Sequence, residues 1–367
     1  MISQNTTLES YLNNGIERLV KNAIRASWKN PRQSLFFLRF AGIVKKAAKI
    51  RQTFADSGEH IPSFLIASIA KNCNLHCAGC YARANQSCDD LPANEELPAS
   101  EWERIFTESE ALGIQFILLA GGEPLLRPDV IETASHHRRI LFPIFTNGTM
   151  IDEKVRVLFL KNRHLIPMLS LEGDALATDF RRGKGTYATV MKVMDDLNRD
   201  GLVYGVSITV TRQNLQQVTG DDYLTMLATK GCRVVIFIEY VPVGNDAVEL
   251  APGDAERAWM ETRLAQAREA YSSLILIAFP GDEKNSGGCL AAGRGFFHIN
   301  ADGRAEPCPF SPYSDTNMKD VSVRQALQSP LFRNIRDGHL LLQEHVGGCT
   351  LFAQEERVRA MLKEESK

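Results

Sequence analysis

The 367-residue sequence has no uninterrupted apolar run long enough to cross a membrane, because its longest candidate, residues 34–44, is short and contains Arg39. The polar start, residues 1–10, lacks the charged and apolar regions of a signal peptide. Hydrophobic residues make up 44% of the chain, which excludes a disordered protein. The balance of 42 basic and 44 acidic groups argues against a globally basic protein that binds nucleic acid.

Cysteine is also scarce: eight residues in a chain of 367 exclude a disulfide-dense mini-protein. Since no export signal is found, we expect a cytoplasmic location. In a reducing compartment, grouped cysteines indicate metal or redox chemistry rather than disulfides. The grouping of the cysteines therefore matters more than their number.

The near-zero net charge hides an uneven distribution. Residues 1–52 contain ten basic and only two acidic side chains, so a basic head precedes an acidic body. Residues 8–28 and 33–52 have the pattern of amphipathic helices, separated by Asn30-Pro31. Two interpretations stay open: a helical appendage packed on the main domain, or a basic anchor that contacts an anionic membrane surface or a partner.

From about residue 63, short apolar runs alternate with helix-like segments. The predicted strands are residues 64–70, 115–120, 140–146, 165–171, 203–211 and 233–238. This alternation indicates β–α units with a parallel sheet, and six units are too few to close an eight-unit barrel. We therefore predict an α/β fold in which residues 61–245 form a partial (β/α)6 barrel. Residues 1–60 would be a helical segment, and residues 246–367 a small α+β domain.

The first predicted strand is followed by K-N-C-N-L-H-C-A-G-C-Y. In this loop Cys73, Cys77 and Cys80 have three and then two residues between them. Three thiolates on one loop can each bind one iron of a cubane [4Fe–4S] cluster and leave the fourth iron open to an exogenous molecule. A zinc site completed by His76 is an alternative, although zinc usually has paired C-x2-C ligands. Unligated cysteines are the other alternative.

The cysteine loop, at the end of the first strand of a β–α chain, resembles that of the radical S-adenosylmethionine (radical SAM) family. A-G-G-E-P, after the second strand, is similar to the family's GGE motif and contains Gly121, Gly122, Glu123 and Pro124. In the family, the backbone here hydrogen-bonds the methionyl amino group of S-adenosylmethionine, and glycine allows a close approach. The third strand ends in T-N-G-T, with Asn147, another turn typical of the family.

The fourth strand ends in S-L-E-G, and Asp179, Arg182 and the G-T-Y of residues 185–187 follow it in a pattern that resembles one radical SAM subfamily. The resemblance implies that Ser170 and Glu172 lie beside the ribose and carboxylate of S-adenosylmethionine. It also implies that Arg182 helps to hold these groups. The structural alternative is an ion pair between Arg182 and Asp179 that braces the loop.

Two positions depart from the family pattern. Glu172 stands where the family usually has Asp, a conservative change. Gly79 stands where the family often has an aromatic residue just before the third cysteine. Adenine stacking would then come from elsewhere in the chain, for example from Tyr81, or be weaker.

A second cysteine group consists of Cys289, Cys308 and Cys349, with a predicted hairpin over residues 297–308. It resembles the auxiliary-cluster extension called SPASM, or its shorter relative called twitch. A full SPASM domain has further closely spaced cysteines after the position of Cys308, but only Cys349 follows here. The resemblance implies one auxiliary [4Fe–4S] cluster with three cysteine ligands; unligated cysteines in a degenerate domain are the alternative.

The resemblance implies an enzyme that reductively cleaves S-adenosylmethionine to a 5′-deoxyadenosyl radical, which abstracts hydrogen from a substrate. The electron would come from a low-potential donor of the flavodoxin or ferredoxin type. Glu239 and Tyr240, at the end of the sixth strand, are candidate catalytic residues facing the substrate, with a core or lid role as the alternative.

The expected substrate is a peptide or protein side chain. The alternative is a small molecule, a cofactor precursor or a lipid, with the basic helices docked on a membrane. A non-catalytic iron–sulfur electron carrier is a third interpretation, but such a protein would not need the GGE-like and S-L-E-G segments.

Overall fold

The computed structural model describes residues 31–90, 96–243, 247–342 and 348–364, together with Lys21. Apart from Lys21, the helix predicted at 8–28 lies outside the described residues. The basic helix predicted at 33–52 is confirmed, since α1 spans Pro31–Asp56.

A parallel sheet forms the body of the described chain, and its strands follow one another in chain order. The strands are β1 (Phe64–Ala70), β2 (Phe116–Gly121), β3 (Phe142–Thr146), β4 (Leu165–Ser170), β5 (Gly205–Val210), β6 (Val234–Glu239) and β7 (Ile275–Phe279). Each neighbouring pair is parallel, and β7 extends the sheet beyond the six predicted units. The predicted α/β partial barrel is confirmed.

Helices connect the strands and cover one face of the sheet. They are α2 (Tyr81–Ala84), α3 (Ala99–Leu112), α4 (Pro128–His136), α5 (Glu153–Lys161), α6 (Ala175–Arg182), α7 (Thr186–Arg199), α8 (Leu215–Val218), α9 (Asp221–Lys230) and α10 (Asp254–Ala270). Side chains alternate between the two faces of a strand, so Leu65 and Ala67 of β1 belong to the main hydrophobic core. Phe64 and Ile66 instead line a cavity inside the barrel.

Helix α1 packs against the amino-terminal end of the barrel. Its Phe37, Phe40 and Val44 form a separate hydrophobic cluster with Leu141 and Ile166, which lie at or next to the starts of β3 and β4. The helix therefore closes this end of the barrel with its apolar face. Among the described residues, no helix is both long and apolar enough to span a bilayer.

The C-terminal part joins the same sheet. The predicted hairpin is confirmed: β8 (His298–Ile299) pairs antiparallel with β9 (Ala305–Glu306). Strand β8 also pairs parallel with β1, with Ile66 opposite His298. Short helices follow, namely α11 (Val323–Leu327), α12 (Pro330–Asp337), α13 (Thr350–Ala353) and α14 (Glu355–Glu364). This pairing places the segment with Cys289 and Cys308 beside β1, the strand that leads into the loop with Cys73, Cys77 and Cys80.

Candidate active site

A cavity of about 1110 Å³ extends through the barrel. At one end it is lined by Phe37 and Phe40 of α1, and at the other by Cys73, Cys77 and Cys80. The cysteine loop thus lies at the carboxyl ends of the parallel strands, where α/β barrels place their active residues.

The cysteine loop is held by backbone contacts rather than by its cysteines. The Ala78 amide donates to the Arg181 carbonyl at 2.8 Å, and the Arg83 guanidinium donates to the Leu75 carbonyl at 3.2 Å. His76 contacts Asp90 at 2.9 Å on the exposed side of the loop. Within the described residues, no three His, Cys, Asp or Glu side chains are arranged to hold one metal ion.

Glu123 ties the end of β2 to the end of β3. Its carboxylate accepts hydrogen bonds from Thr146 Oγ1 at 2.7 Å, from the Asn147 amide at 2.8 Å and from the Leu125 amide at 3.1 Å. The residue is 1% exposed, and burial raises the pKa of its carboxyl although the hydrogen bonds oppose that rise. The Glu123 side chain therefore braces two of the loops at the cavity.

The two glycines before Glu123 are required by backbone packing. A Cβ on Gly121 would lie 2.4 Å from the Ala70 carbonyl oxygen, and one on Gly122 would lie 2.1 Å from that of Asn72. Any side chain here would separate β2 from the start of the cysteine loop. The sequence predicted glycine for the approach of a ligand; close packing of the two strand ends is a second reason.

Asn147 links the T-N-G-T turn to the cysteine loop. Its Nδ2 donates to Asn74 Oδ1 at 2.8 Å and lies 4.0 Å from Cys73 Sγ. Burial raises the pKa of the Cys73 thiol.

Arg182 connects the end of β4 with the cysteine loop. Its Nε donates to Glu172 Oε1 at 2.7 Å, and its Nη1 lies 3.9 Å from Cys77 Sγ. Arg181 contacts the same carboxylate oxygen at 2.7 Å, and the Thr209 amide donates to the other oxygen at 3.1 Å. Both arginines line the cavity, and their charges meet one buried carboxylate.

The alternative ion pair between Arg182 and Asp179 is not formed in this structure. The Asp179 carboxylate instead accepts hydrogen bonds from the Gly185 and Tyr187 amides, each at 2.8 Å. These hydrogen bonds lower the pKa of Asp179 and fix the loop between α6 and α7.

Hydroxyl groups of two neighbouring strands border the same cavity. Ser170, the predicted β4 residue, is joined by Ser207 and Thr209 of β5. The prediction missed Ser207, Thr209 and Arg181. A signal for the first two was present, since they occupy alternate positions in the otherwise apolar G-V-S-I-T-V.

Three further predicted site residues are Tyr81, Tyr240 and Glu239. The Tyr81 ring packs edge-on against Phe310, with ring centroids 5.1 Å apart. Tyr240 is buried and lines the cavity beside Gly79. Glu239 accepts from Arg257 Nη2 at 2.6 Å and from the Gly348 amide at 3.1 Å, so both carboxylate oxygens have partners.

The second cysteine group also converges. The Cys308 thiol donates a hydrogen bond to the Cys349 sulfur, which lowers the pKa of Cys349. Burial raises the pKa of Cys289 and of Cys308. The structure thus brings together three cysteines although the first and the last of them are 60 residues apart in the sequence.

Two buried polar groups next to these cysteines have no partner among the described residues. They are the hydroxyls of Ser311 and Thr350, which lie close in sequence to Cys308 and Cys349. A buried hydroxyl without a partner is costly, and the sulfur atoms of a cluster accept hydrogen bonds. The donor set and these hydroxyls fit an iron–sulfur cluster at this place.

Residues 68–219 match the family model described as the Radical SAM superfamily. The matched region includes the cysteine loop and the ends of β2, β3 and β4. The chain is an enzyme with a radical SAM domain over residues 68–219. The enzymes of this superfamily use a [4Fe–4S] cluster and S-adenosylmethionine, so the predicted family and these two cofactors are confirmed.

The radical SAM enzyme is similar to several known proteins. The AdoMet-dependent heme synthase of Methanosarcina barkeri is 25% identical over 306 residues, which cover 75% of this chain and 85% of that protein. The PqqA peptide cyclase of Granulibacter bethesdensis is 25% identical over 277 residues, 72% of each chain. The crystal structure of Streptococcus suis SuiB bound to the precursor peptide SuiA has a similar fold, with a TM-score of 0.65 and 18% identity over 82% of this chain and 71% of that one. These similarities support the SPASM/twitch type.

Proposed function

We propose that this radical SAM enzyme modifies a peptide or protein side chain and that Cys73, Cys77 and Cys80 hold its [4Fe–4S] cluster. The observation that carries the proposal is the meeting of the three loop cysteines with the ends of β2, β3 and β4 at one end of a large cavity. The similarity to a PqqA peptide cyclase over 72% of each chain supports the substrate class.

S-adenosylmethionine would bind beside the cysteine loop. The backbone of Gly121 and Gly122 and the side chains of Ser170, Asn147 and Arg182 border the cavity there, with Glu123 and Pro124 bracing the GGE turn. When bound, the cluster and S-adenosylmethionine together supply hydrogen-abstracting radical chemistry. The protein's own side chains bind, orient and exclude water.

The role that we assign to Arg182 is to present its positive charge to the cysteine loop. Glu172 holds the Arg182 guanidinium at a place where it also contacts Cys77 Sγ. A cation that is already fixed at this place would need no reorganisation when the cluster and S-adenosylmethionine bind. Glu172 therefore acts through Arg182 as a positioning residue, whereas the sequence predicted direct contact with the ligand.

We also propose an auxiliary [4Fe–4S] cluster on Cys289, Cys308 and Cys349. The buried hydroxyls of Ser311 and Thr350 support this assignment, because the sulfur atoms of a cluster would give them acceptors. The proposed division of the chain follows from these sites: residues 1–60, a core over 61–245 and a cluster-bearing part over 246–367.

Anaerobic reconstitution tests the enzyme assignment. The protein is incubated with S-adenosylmethionine and dithionite, and 5′-deoxyadenosine is measured by chromatography. We expect formation by the wild type and none by the Cys73→Ala/Cys77→Ala/Cys80→Ala variant. A wild-type protein with intact clusters and no 5′-deoxyadenosine would contradict the proposed chemistry. Replacing dithionite by a reduced flavodoxin or ferredoxin tests the proposed class of electron donor.

The substrate class is tested with fractions of a lysate from the source organism. A peptide and protein fraction, a small-molecule fraction and a lipid extract are each added to the reconstituted enzyme. A peptide substrate predicts that the first fraction stimulates 5′-deoxyadenosine formation and that protease treatment removes the stimulation. Stimulation by either of the other two fractions alone would contradict it.

A small apolar molecule is the second candidate substrate. The cavity wall towards α1 is apolar, with Phe40, Phe116, Leu141 and Ile166 among its residues. Such a wall suits a lipid chain or a cofactor precursor. The similarity to an AdoMet-dependent heme synthase over 85% of that protein also favours a small molecule.

We further propose that the exposed face of α1 contacts an anionic membrane surface. This face carries Lys45, Lys46 and Lys49 together with Leu35 and Leu38, which are 48% and 57% exposed. The sharpest test is charge reversal of the three lysines to Glu, since deletion of α1 would also remove the residues that close the barrel. We expect wild-type binding to phosphatidylserine vesicles and its loss in the variant; equal binding would remove this proposal.

A further inference from the structure

Glu283 is a buried carboxyl group beside the second cysteine group. It lies in the short 3-10 turn Gly281–Ser286 that precedes Cys289, and only 4% of the residue is exposed. The Cys289 thiol donates a hydrogen bond to its carboxyl group. The Leu290 amide, at 3.3 Å, is its other hydrogen-bond donor in the described chain.

No basic side chain forms an ion pair with Glu283 among the described residues. Arg294 is near, but its guanidinium donates to the carbonyl groups of Ser286, Gly288 and Cys289. Arg294 thereby fixes the turn that presents Glu283 to Cys289. A buried carboxylate without a cation is unfavourable unless it is protonated or binds a metal.

Four potential ligands therefore converge from different parts of the chain. Glu283 lies against Cys289, whose neighbour Leu290 donates to the carboxyl group at 3.3 Å, and Cys308 lies against Cys349. Both Cys289 and Glu283 interact electrostatically with Cys349, which shows that the two pairs are neighbours. We propose that Glu283 is the fourth protein ligand of the auxiliary cluster, so that all four irons are bound by the chain.

This inference rests on the proposed auxiliary cluster and adds one ligand to it. Metal binding releases the thiol protons to solvent, because cysteine and glutamate both bind a metal in their deprotonated forms. The hydrogen bond between Cys289 and Glu283 is then replaced by bonds from both groups to iron. An oxygen ligand also makes one iron chemically distinct from the three bound by thiolates.

A coordinated Glu283 leaves no iron of this cluster open to a small ligand. The experiment therefore uses the full chain with Cys73→Ala/Cys77→Ala/Cys80→Ala, in which only the auxiliary cluster remains. Iron and sulfide are measured after anaerobic reconstitution, and electron paramagnetic resonance spectra of the dithionite-reduced cluster are recorded with and without cyanide.

In this background we expect a spectrum that cyanide does not change. Glu283→Ala and the isosteric Glu283→Gln should open one iron. Their clusters should then either shift their spectrum with cyanide or lose one iron per cluster on mild oxidation. Asp282→Asn is the matched control, since Asp282 lies in the same turn and pairs with Arg268; its spectrum should match the background.

Two results would overturn the assignment of Glu283 alone. One is a cyanide-sensitive spectrum before Glu283 is changed, and the other is an unchanged, cyanide-insensitive spectrum in both Glu283 variants. Absence of any cluster from the triple cysteine variant, with normal circular dichroism, would overturn the auxiliary cluster itself and this inference with it. The failure of the ligand and the failure of the site are thus distinguishable.

Discussion

The ring of Tyr240 occupies the space that a side chain at position 79 would need. A Cβ on Gly79 would lie 2.8 Å from Tyr240 Cε2 and 2.9 Å from its hydroxyl oxygen. Gly79 also has a positive φ of 64°, which disfavours other residues. An aromatic ring from the end of β6 thus stands against the cysteine loop where radical SAM enzymes often have an aromatic residue of the loop itself.

Tyr240→Ala is predicted to weaken binding of S-adenosylmethionine, because the ring borders the cavity beside the third loop cysteine. Loss of one aromatic contact is worth about 1 kcal/mol, which corresponds to roughly a fivefold rise in the dissociation constant. Tyr240→Phe should retain nearly full affinity. Isothermal titration of the reconstituted, unreduced enzyme measures this without turnover.

A catalytic hydroxyl would give the opposite pattern. Tyr240→Phe would then bind S-adenosylmethionine normally and lose product formation. Tyr81→Phe is the matched control, since Tyr81 follows Cys80 directly and packs on Phe310 instead.

The two cysteine groups are predicted to hold separate clusters. Cys73→Ala/Cys77→Ala/Cys80→Ala and Cys289→Ala/Cys308→Ala/Cys349→Ala should each lose about half of the iron and sulfide, because each set removes the thiolate ligands of one cluster. Cys232→Ala is the control, since Cys232 is buried in the main core. Unchanged iron in either triple variant would contradict the assignment of a cluster to those three cysteines.

Glu172→Gln is predicted to destabilise the enzyme and to lower its affinity for S-adenosylmethionine. The change leaves two largely buried guanidinium groups without their shared carboxylate, which costs about 3 kcal/mol of unfolding free energy. Urea unfolding at equal iron content measures this loss. Glu172→Asp should lose less because it keeps the charge.

Asp174→Asn separates this effect from general damage near α6. Asp174 caps α6 on the exposed side, and Asn caps helices as well as Asp does. Its unfolding free energy should stay close to that of the wild type. A Glu172→Gln variant as stable as Asp174→Asn would show that the arginines do not depend on Glu172.

The barrel and the cysteine loop were predictable because their signals are local in sequence. An apolar run such as that of β1 indicates a strand by itself, and the spacing from Cys73 to Cys80 indicates a cluster by itself. The position of α1 was not predictable. The helical spacing of its apolar residues shows that Phe37 and Phe40 share a buried face. The end of the barrel that they contact, however, is built from strands far along the chain.

Contacts between distant loops were missed for the same reason. Glu283 lies in G-D-E-K-N-S, which has no pattern that separates a buried carboxylate from the exposed one beside it. The sequence placed Glu172 and Arg182 beside the same ligand, with an ion pair between Arg182 and Asp179 as the alternative. It did not show that Arg182 would donate directly to Glu172, as it does in the structure.

Glu239 is predicted to position the auxiliary cluster rather than to react with substrate. Its carboxylate joins Arg257 of α10 to the Gly348 amide, next to Cys349. Glu239→Gln keeps the shape but removes the charge, so the segment before Cys349 should lose its anchor. We expect lower auxiliary iron and unchanged formation of 5′-deoxyadenosine without substrate.

The exposed partner of the same arginine supplies the control. Asp254 also contacts Arg257, but from the solvent side, where an ion pair contributes about 0.2–1 kcal/mol. Asp254→Asn should therefore keep both clusters. If Glu239→Gln instead retained all of its iron and lost only product formation, Glu239 would be a catalytic residue. Measuring auxiliary iron and modified substrate together thus decides between the two roles. Loss of a positioning residue lowers the auxiliary iron and the yield of modified substrate, whereas loss of a catalytic residue lowers only the yield of modified substrate.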